Sequence, residues 1–191
     1  MKPVILTTER LLLRPFQQAD TDAVLLACQD PEIQRWTTIP SPYERAHAES
    51  FVALQAPDGW RAGTVHSFAV LTRDGAELVA AISTTTHRQS DTAEIGFWAA
   101  AGQRRRGYVT EAALALAHWV FTAVGVERLE WRAEVGNTAS RTVAEKVGFV
   151  LEGTQRSGIV NKGVRRDAWV GALLPSDIGL PAEHPYLPGK S

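Results

Sequence analysis

Cysteine is all but absent. Cys28 is the only one in 191 residues, so no disulfide forms within the chain and no cysteine-based zinc cluster can be built. The cytoplasm, a reducing compartment, is the expected setting. An excess of one charge is also missing: 20 Lys and Arg against 21 Asp and Glu leave a net charge of -1. That supplies no overall field for nucleic acid or an anionic membrane, and neither is expected as a partner. Long apolar runs are lacking too. The longest uncharged stretch, Ala112 to Val126, contains His118 and falls short of the roughly 18 apolar residues that a bilayer span requires. Glu9 and Arg10 break the opening MKPVILTTERLLL before it reaches an export-type apolar centre. The five histidines show no paired spacing such as H-E-x-x-H, and no Gly-Lys-Ser/Thr phosphate loop occurs; no metal and no Walker-type nucleotide are expected. With 45% hydrophobic and 21% charged residues, what remains is a globular chain long enough to bury a sizeable core.

The order of patterns predicts the architecture. Val4 to Phe16 is rich in Leu and reads as a first strand. Asp20 opens a helix to about Cys28, stopped near Asp30-Pro31, and Tyr43 to Gln55 is a second helix, ended by Pro57-Asp58-Gly59. Val65–Thr72, Leu78–Thr86 and Thr92–Ala100 then form an antiparallel meander joined at Arg73-Asp74-Gly75 and at Arg88 to Asp91. After it the period changes. Ala113, Leu116, Ala117, Val120 and Val124 make one helical stripe, ended by Gly125. Leu129–Val135 follows as a strand, so strand, crossover helix and strand make a right-handed βαβ unit with parallel neighbours. A helix over Thr138–Val147, closed by Gly148, precedes a last hairpin of Val150–Ser157 and Val164–Leu174. The fold class is therefore α/β in the broad sense (α+β): a single domain over 1–175 with a mixed, mostly antiparallel sheet covered by helices on both faces. A Pro/Gly-rich tail over 176–191 follows it.

Chemistry concentrates in Gln103-Arg104-Arg105-Arg106-Gly107-Tyr108-Val109-Thr110-Glu111, where a strand passes into the crossover helix. Amides at a helix N-terminus lack intrahelical acceptors and carry the positive end of the dipole. Gly107 permits close approach, and three arginines add charge. A phosphate-bearing ligand is implied; the alternative is a solvated basic turn.

With this loop the chain resembles the GNAT superfamily of acyl-CoA-dependent N-acyltransferases, whose loop pattern is Gln/Arg-x-x-Gly-x-Gly/Ala; Arg104, Gly107 and Val109 stand at its three positions. The resemblance extends to Leu6-Thr-Thr-Glu-Arg-Leu-Leu-Leu-Arg-Pro15, Glu94-Ile-Gly-Phe-Trp98, Asn137-Thr-Ala-Ser140, and Gly148-Phe149 followed by Glu152-Gly153. Together these are similar to the branch of ribosomal-protein N-terminal acetyltransferases. The resemblance implies acetyl-CoA as cosubstrate, with Arg104, Arg105, Arg106, Gly107, Tyr108, Val109 and Thr110 around its pyrophosphate. It implies backbone groups of Phe97, Trp98 and Ala99 along pantetheine, and Asn137 on the CoA arm. Val109 departs from the pattern, since a β-branched side chain there threatens to crowd the phosphate.

Amide formation from a thioester needs a neutral amine, a route for its proton and a proton for the thiolate, with no covalent intermediate. Glu94 stands where relatives place a general base, acting directly or through water; the alternative is a structural carboxylate. The family's usual Tyr acid is absent, its place being Ala144. Ser140 matches the serine of the ribosomal branch and is expected to donate to the sulfur or to a water, or else to be an ordinary first-turn hydroxyl. Trp36 and Tyr43, with Trp60, fall where the family builds its acceptor pocket, against the alternative of core packing. Cys28 is expected to pack. The expected activity is acetyl transfer to a primary amine, either a protein N-terminus or a small molecule. A non-catalytic acyl-CoA-binding module is the alternative, and a homodimer is open.

Overall fold

The computed structural model describes residues 2–87 and 89–189. Fourteen elements build it: β1 (Leu6–Thr7), β2 (Leu11–Pro15), α1 (Thr21–Cys28), α2 (Pro31–Trp36), α3 (Arg45–Ser50), α4 (Ala56–Ala62), β3 (Val65–Thr72), β4 (Leu78–His87), β5 (Thr92–Ala99), α5 (Tyr108–Trp119), β6 (Arg128–Glu134), α6 (Thr138–Val147), β7 (Val150–Asn161) and β8 (Val164–Leu173). One eight-stranded sheet runs β1-β2-β3-β4-β5-β6-β8-β7. Every neighbouring pair is antiparallel except β5 and β6, which the crossover helix α5 makes parallel.

Period two along the strands divides the apolar residues between two cores. Leu11, Leu13, Phe68, Val70, Ile82, Ile95, Leu129 and Trp131 face α5 and α6 in the larger one. Ala69, Leu71 and Ala81 point the other way, onto Val24, Cys28, Ile33, Tyr43, Ala48 and Val52 of the early helical region. Trp60 closes the end of the larger core. Its ring lies 5.1 Å from Phe68 and 5.8 Å from Trp119, and its indole donates to the Ser67 carbonyl at 3.0 Å. Gly59 lets α4 come this close to β3, because a Cβ there would stand 2.6 Å from the Val65 carbonyl oxygen.

Several expectations are corrected. The first strand is two, folded back on itself so that Leu6 pairs with Leu13. Thr8 makes the turn with its own hydroxyl, which accepts from Leu11 N–H at 2.9 Å. The helix expected to stop at Pro57 continues to Ala62. A π turn over Phe51–Gln55 widens it just ahead of the proline ring. Asp30-Pro31 ends α1 but also starts α2: the Asp30 carboxylate accepts from Glu32 and Ile33 N–H, and Pro31 sits where no N–H is needed. In the last hairpin β7 runs on to Asn161, and β8 lies between β6 and β7. Arg88, in the second expected meander connection, lies outside the described residues. In the tail, Pro175–Ile178 forms a 3-10 turn, and Ile178 and Leu180 pack against the larger core. Among the described residues no helix is long and apolar enough to cross a membrane.

Candidate active site

The sheet opens at its centre. β5 and β6 are in register only from Thr92↔Arg128 to Ile95↔Trp131. Yet β5 stays paired with β4 as far as Ala99, and β6 with β8 as far as Glu134. Past Ile95 and Trp131 the two strands therefore part, and the edge of Gly96–Ala99 turned away from β4 faces a wedge-shaped gap. Phe97 packs into the larger core and Trp98 into the smaller one, which leaves their backbone on that edge.

At the end of β5 the chain turns through Ala101–Gln103 into the loop before α5. Arg105 and Gly107 have φ of +63° and +80°, and helical hydrogen bonding begins with Glu111 N–H donating to the Gly107 carbonyl at 3.0 Å. The amides of Tyr108, Val109 and Thr110 thus have no acceptor within the helix, and they lie at its positive end. The three arginines before them are exposed. Tyr108 and Val109 pack their side chains against the larger core. Val109 is therefore directed inward, and its β-branch does not occupy the amide cradle.

Glu94 lies on β5 opposite Thr85 and Glu130, in the last paired stretch before the gap. Its neighbours Ala93 and Ile95 belong to the core under α5, so its carboxylate emerges on the opposite face. Arg132 Nε stands 3.6 Å from Glu94 Oε2. Desolvation pushes the Glu94 carboxyl above the usual carboxylate range and Glu130 adds to the rise; Arg132 and His87 act the other way.

Ser140 reaches the same level from the α6 side. Asn137 caps α6, its side chain accepting from Ser140 N–H at 3.1 Å. Ser140 Oγ accepts from the buried Trp131 indole N–H at 3.0 Å. An indole is a donor only, so the Ser140 hydroxyl hydrogen is left for another acceptor.

The short helix α2 bridges the two sides of the opening. Its capping carboxylate, Asp30, meets Arg104 at 3.1 Å. At its other end Arg35 donates to both oxygens of the buried Glu134 at 2.6 and 2.9 Å and stacks 4.2 Å over Trp36. Asn161, the last residue of β7, and Lys162, in the β7–β8 turn, donate to carbonyls of Arg35, Gln34 and Thr37. Trp36 gives its indole N–H to Glu32 and lies beside Gly136, in the loop that leads to Asn137.

Of the residues selected from the sequence, those of β5, the loop, Asn137 and Ser140 gather around the opening with Trp36 at its rim. Tyr43 and Trp60 do not join them. Tyr43 is 6% exposed within the smaller core, its phenol hydrogen-bonded to Cys28 and pushed upward by desolvation, while Trp60 is 2% exposed in the larger core. Cys28 packs, its thiol pushed up to about 12 by burial. Sequence reasoning missed Trp131, Arg132, Arg35 and Glu134. The alternation Arg128, Glu130, Arg132, Glu134 along β6 was the available sign of a charged face.

Residues 10–150 match the family model described as an acetyltransferase (GNAT) domain. The chain is similar to the uncharacterized N-acetyltransferase p20 of Bacillus licheniformis, with 25% identity over 88% of this chain and 95% of that one. Among solved structures it is similar to Mycobacterium smegmatis RimJ in complex with a CoA disulfide (TM-score 0.79, 24% identity, 93% of this chain and 88% of that one). It is also similar to RimL, a ribosomal alpha-N-protein acetyltransferase solved with coenzyme A (TM-score 0.79, 19% identity, 90% and 98%). These structural likenesses establish the fold.

Proposed function

The chain belongs to the GNAT acetyltransferase family, and from that premise we propose that it transfers the acetyl group of acetyl-CoA directly to a primary amine in a ternary complex. The observation that carries this reading is the parting of β5 and β6 immediately beside the unpartnered amides of the α5 N-terminus. A gap between strands admits a narrow thioester arm, and the helix end takes its pyrophosphate. Support for the cosubstrate also comes from the relatives solved with coenzyme A or its disulfide.

In this reading the amides of Gly107 to Thr110 hold the pyrophosphate, with Arg104, Arg105 and Arg106 supplying positive charge, and the free edge of Phe97 to Ala99 aligns pantetheine. Asn137, as the cap of α6, orients the first turn that carries Ser140. As the amine nitrogen bonds to the carbonyl carbon and the carbon–sulfur bond breaks, one amine proton passes to Glu94, directly or through one water. Ser140 donates a hydrogen bond to the departing sulfur. A carboxylate whose proton affinity is raised by desolvation is a better proton acceptor than a solvated one. The acceptor enters from the face that bears Glu94, past Trp36. A protein N-terminus is the favoured amine, by analogy with the alpha-N-protein acetyltransferase among the structural relatives.

Isothermal titration with acetyl-CoA, run beside a Gly107→Trp variant, tests the reading. Saturable binding that the variant loses is expected, followed by CoA release with N-terminal peptides or small amines. Wild-type protein that binds no acetyl-CoA refutes it.

A further inference from the structure

Arg10 lies in the turn between β1 and β2, about a hundred residues from the loop before α5, yet three of its contacts straddle Gly107. Its Nη1 donates to the Arg106 carbonyl at 3.0 Å. Nε and Nη2 both reach Glu111 Oε2 at 2.6 Å. The guanidinium lies 5.0 Å over the Tyr108 ring. Glu111 accepts further from Thr8 Oγ1 at 2.5 Å and from Arg10 N–H at 3.0 Å. Although partial burial acts upward, these bonds hold its carboxyl below the usual range, so it stays ionised as the anchor. Thr8 is itself fixed by Leu11 N–H.

We propose that Arg10 is a positioning residue for acyl-donor binding: it sets the loop conformation in which the amides beyond Gly107 face a pyrophosphate. The loop needs such a restraint. Arg105 is a non-glycine residue in the left-handed region, a conformation that persists only where its surroundings over-determine it. The carbonyl of Arg106 directly precedes the Gly107 amide, and turned into the cradle it would repel an anion. Arg10 takes that oxygen as an acceptor and keeps it out. Its contacts to Arg106 and Glu111 engage all three guanidinium nitrogens, so Arg10 ties the loop to the β1–β2 turn. Gly107 completes the fit, since a Cβ there would stand 3.4 Å from Arg10 Nη2.

The inference rests on the acetyl-CoA reading above. Its test compares kcat/KM for acetyl-CoA with that for S-acetylpantetheine, which carries the same thioester without the pyrophosphate. In Arg10→Ala the preference for acetyl-CoA falls about tenfold, the equivalent of one lost charge-assisted hydrogen bond; Arg10→Lys, which retains a single cationic donor nitrogen, recovers part of it. Glu111→Gln, which keeps the side-chain size, lowers the same ratio and serves if Arg10→Ala does not fold. A proportional loss with both donors, leaving the ratio unaltered, overturns the proposal and leaves Arg10 a structural staple. Wild-type protein with no preference for acetyl-CoA instead overturns the function proposed above, and this inference with it.

Discussion

Removal of one oxygen, in Ser140→Ala, separates the structural from the chemical work of that side chain. Oγ accepts the Trp131 indole N–H at 3.0 Å, and Trp131 is 2% exposed. The alanine strands that donor where little water reaches it, at a cost of about 1–3 kcal/mol. In a chain of this size each kcal/mol lowers Tm by about 2–4 °C. The second loss, in the proposed reaction, is the hydroxyl donor to the departing sulfur. A hydrogen bond to a charged group contributes about 1.5–3 kcal/mol, so kcat falls by roughly 10- to 150-fold. Adding Trp131→Phe to Ser140→Ala removes the stranded N–H, so the double variant regains stability that the single variant lost while kcat stays low. Thermal unfolding and thiol-reagent detection of CoA release at saturating amine read the two effects separately. A Ser140→Ala enzyme with kcat within about twofold of wild type and a lowered Tm refutes the catalytic role, leaving Ser140 as the indole's acceptor alone.

Glu94→Gln lowers kcat by about 10²- to 10⁴-fold and abolishes the acidic limb of the pH–rate profile, which in wild type lies above the usual carboxylate range; a limb that persists in the variant assigns the base elsewhere. Because the folded state favours the protonated Glu94 carboxyl, its stabilising contribution is present below the ordinary carboxylate value and lost as pH rises through the elevated one. Glu94→Gln is therefore more stable than wild type at neutral pH and equal to it in acid, as denaturant titrations at both pH values should record. Glu134 is the opposite case: hydrogen bonds from Arg35 lower its carboxyl, so stability present above the ordinary value is lost as pH falls through the depressed one. Glu134→Gln costs about 1–3 kcal/mol at neutral pH, less in acid, and an equal cost at both pH values contradicts the ion pair's role. Trp60→Ala costs about 3–5 kcal/mol as a core deletion and leaves the KM for amine within about twofold, whereas a tenfold rise at a temperature where the variant is folded returns Trp60 to the acceptor pocket.

Strands and helices with strong period and clear stops were legible in the sequence. The meander, the α5 stripe ended by Gly125, and α6 between Asn137 and Gly148 stand within a residue or two of expectation. What failed was local punctuation overruled by packing. Pro57 stops an ordinary helix, but here a π turn precedes it and the burial of Trp60 against Phe68 and Trp119 extends the helix past it. Leu11 and Leu13 gave no hint that residues before them fold back at Thr8. At the site, the phosphate-type loop was legible because backbone chemistry at a helix start depends on adjacent residues. The partners of Glu94 and Ser140 were not: Arg132 reaches Glu94 from the neighbouring strand, and Trp131 reaches Ser140 only once α6 has packed on β6. Register between strands distant in sequence has no local signature.

That register also determines how the two proposed catalytic groups divide the reaction. Ile95 and Trp131 form the last β5–β6 pair, and both face the core under α5 and α6. By period two, Glu94 must then lie on the other face, while Ser140, bonded to Trp131, stays on the helical one. In the proposed reaction a thioester threaded through the gap just past that pair presents its carbonyl between these two faces. The nitrogen that loses a proton approaches from the Glu94 face, and the departing thiolate is hydrogen-bonded by Ser140. Proton acceptance by Glu94 and the hydrogen bond from Ser140 to the sulfur are thus assigned to opposite faces of the sheet in the proposed reaction. A one-residue slip of β6 against β5 would turn Trp131 to the Glu94 face and remove the anchor of Ser140. The four residue pairs from Thr92↔Arg128 to Ile95↔Trp131 therefore set the proposed site as much as the side chains do.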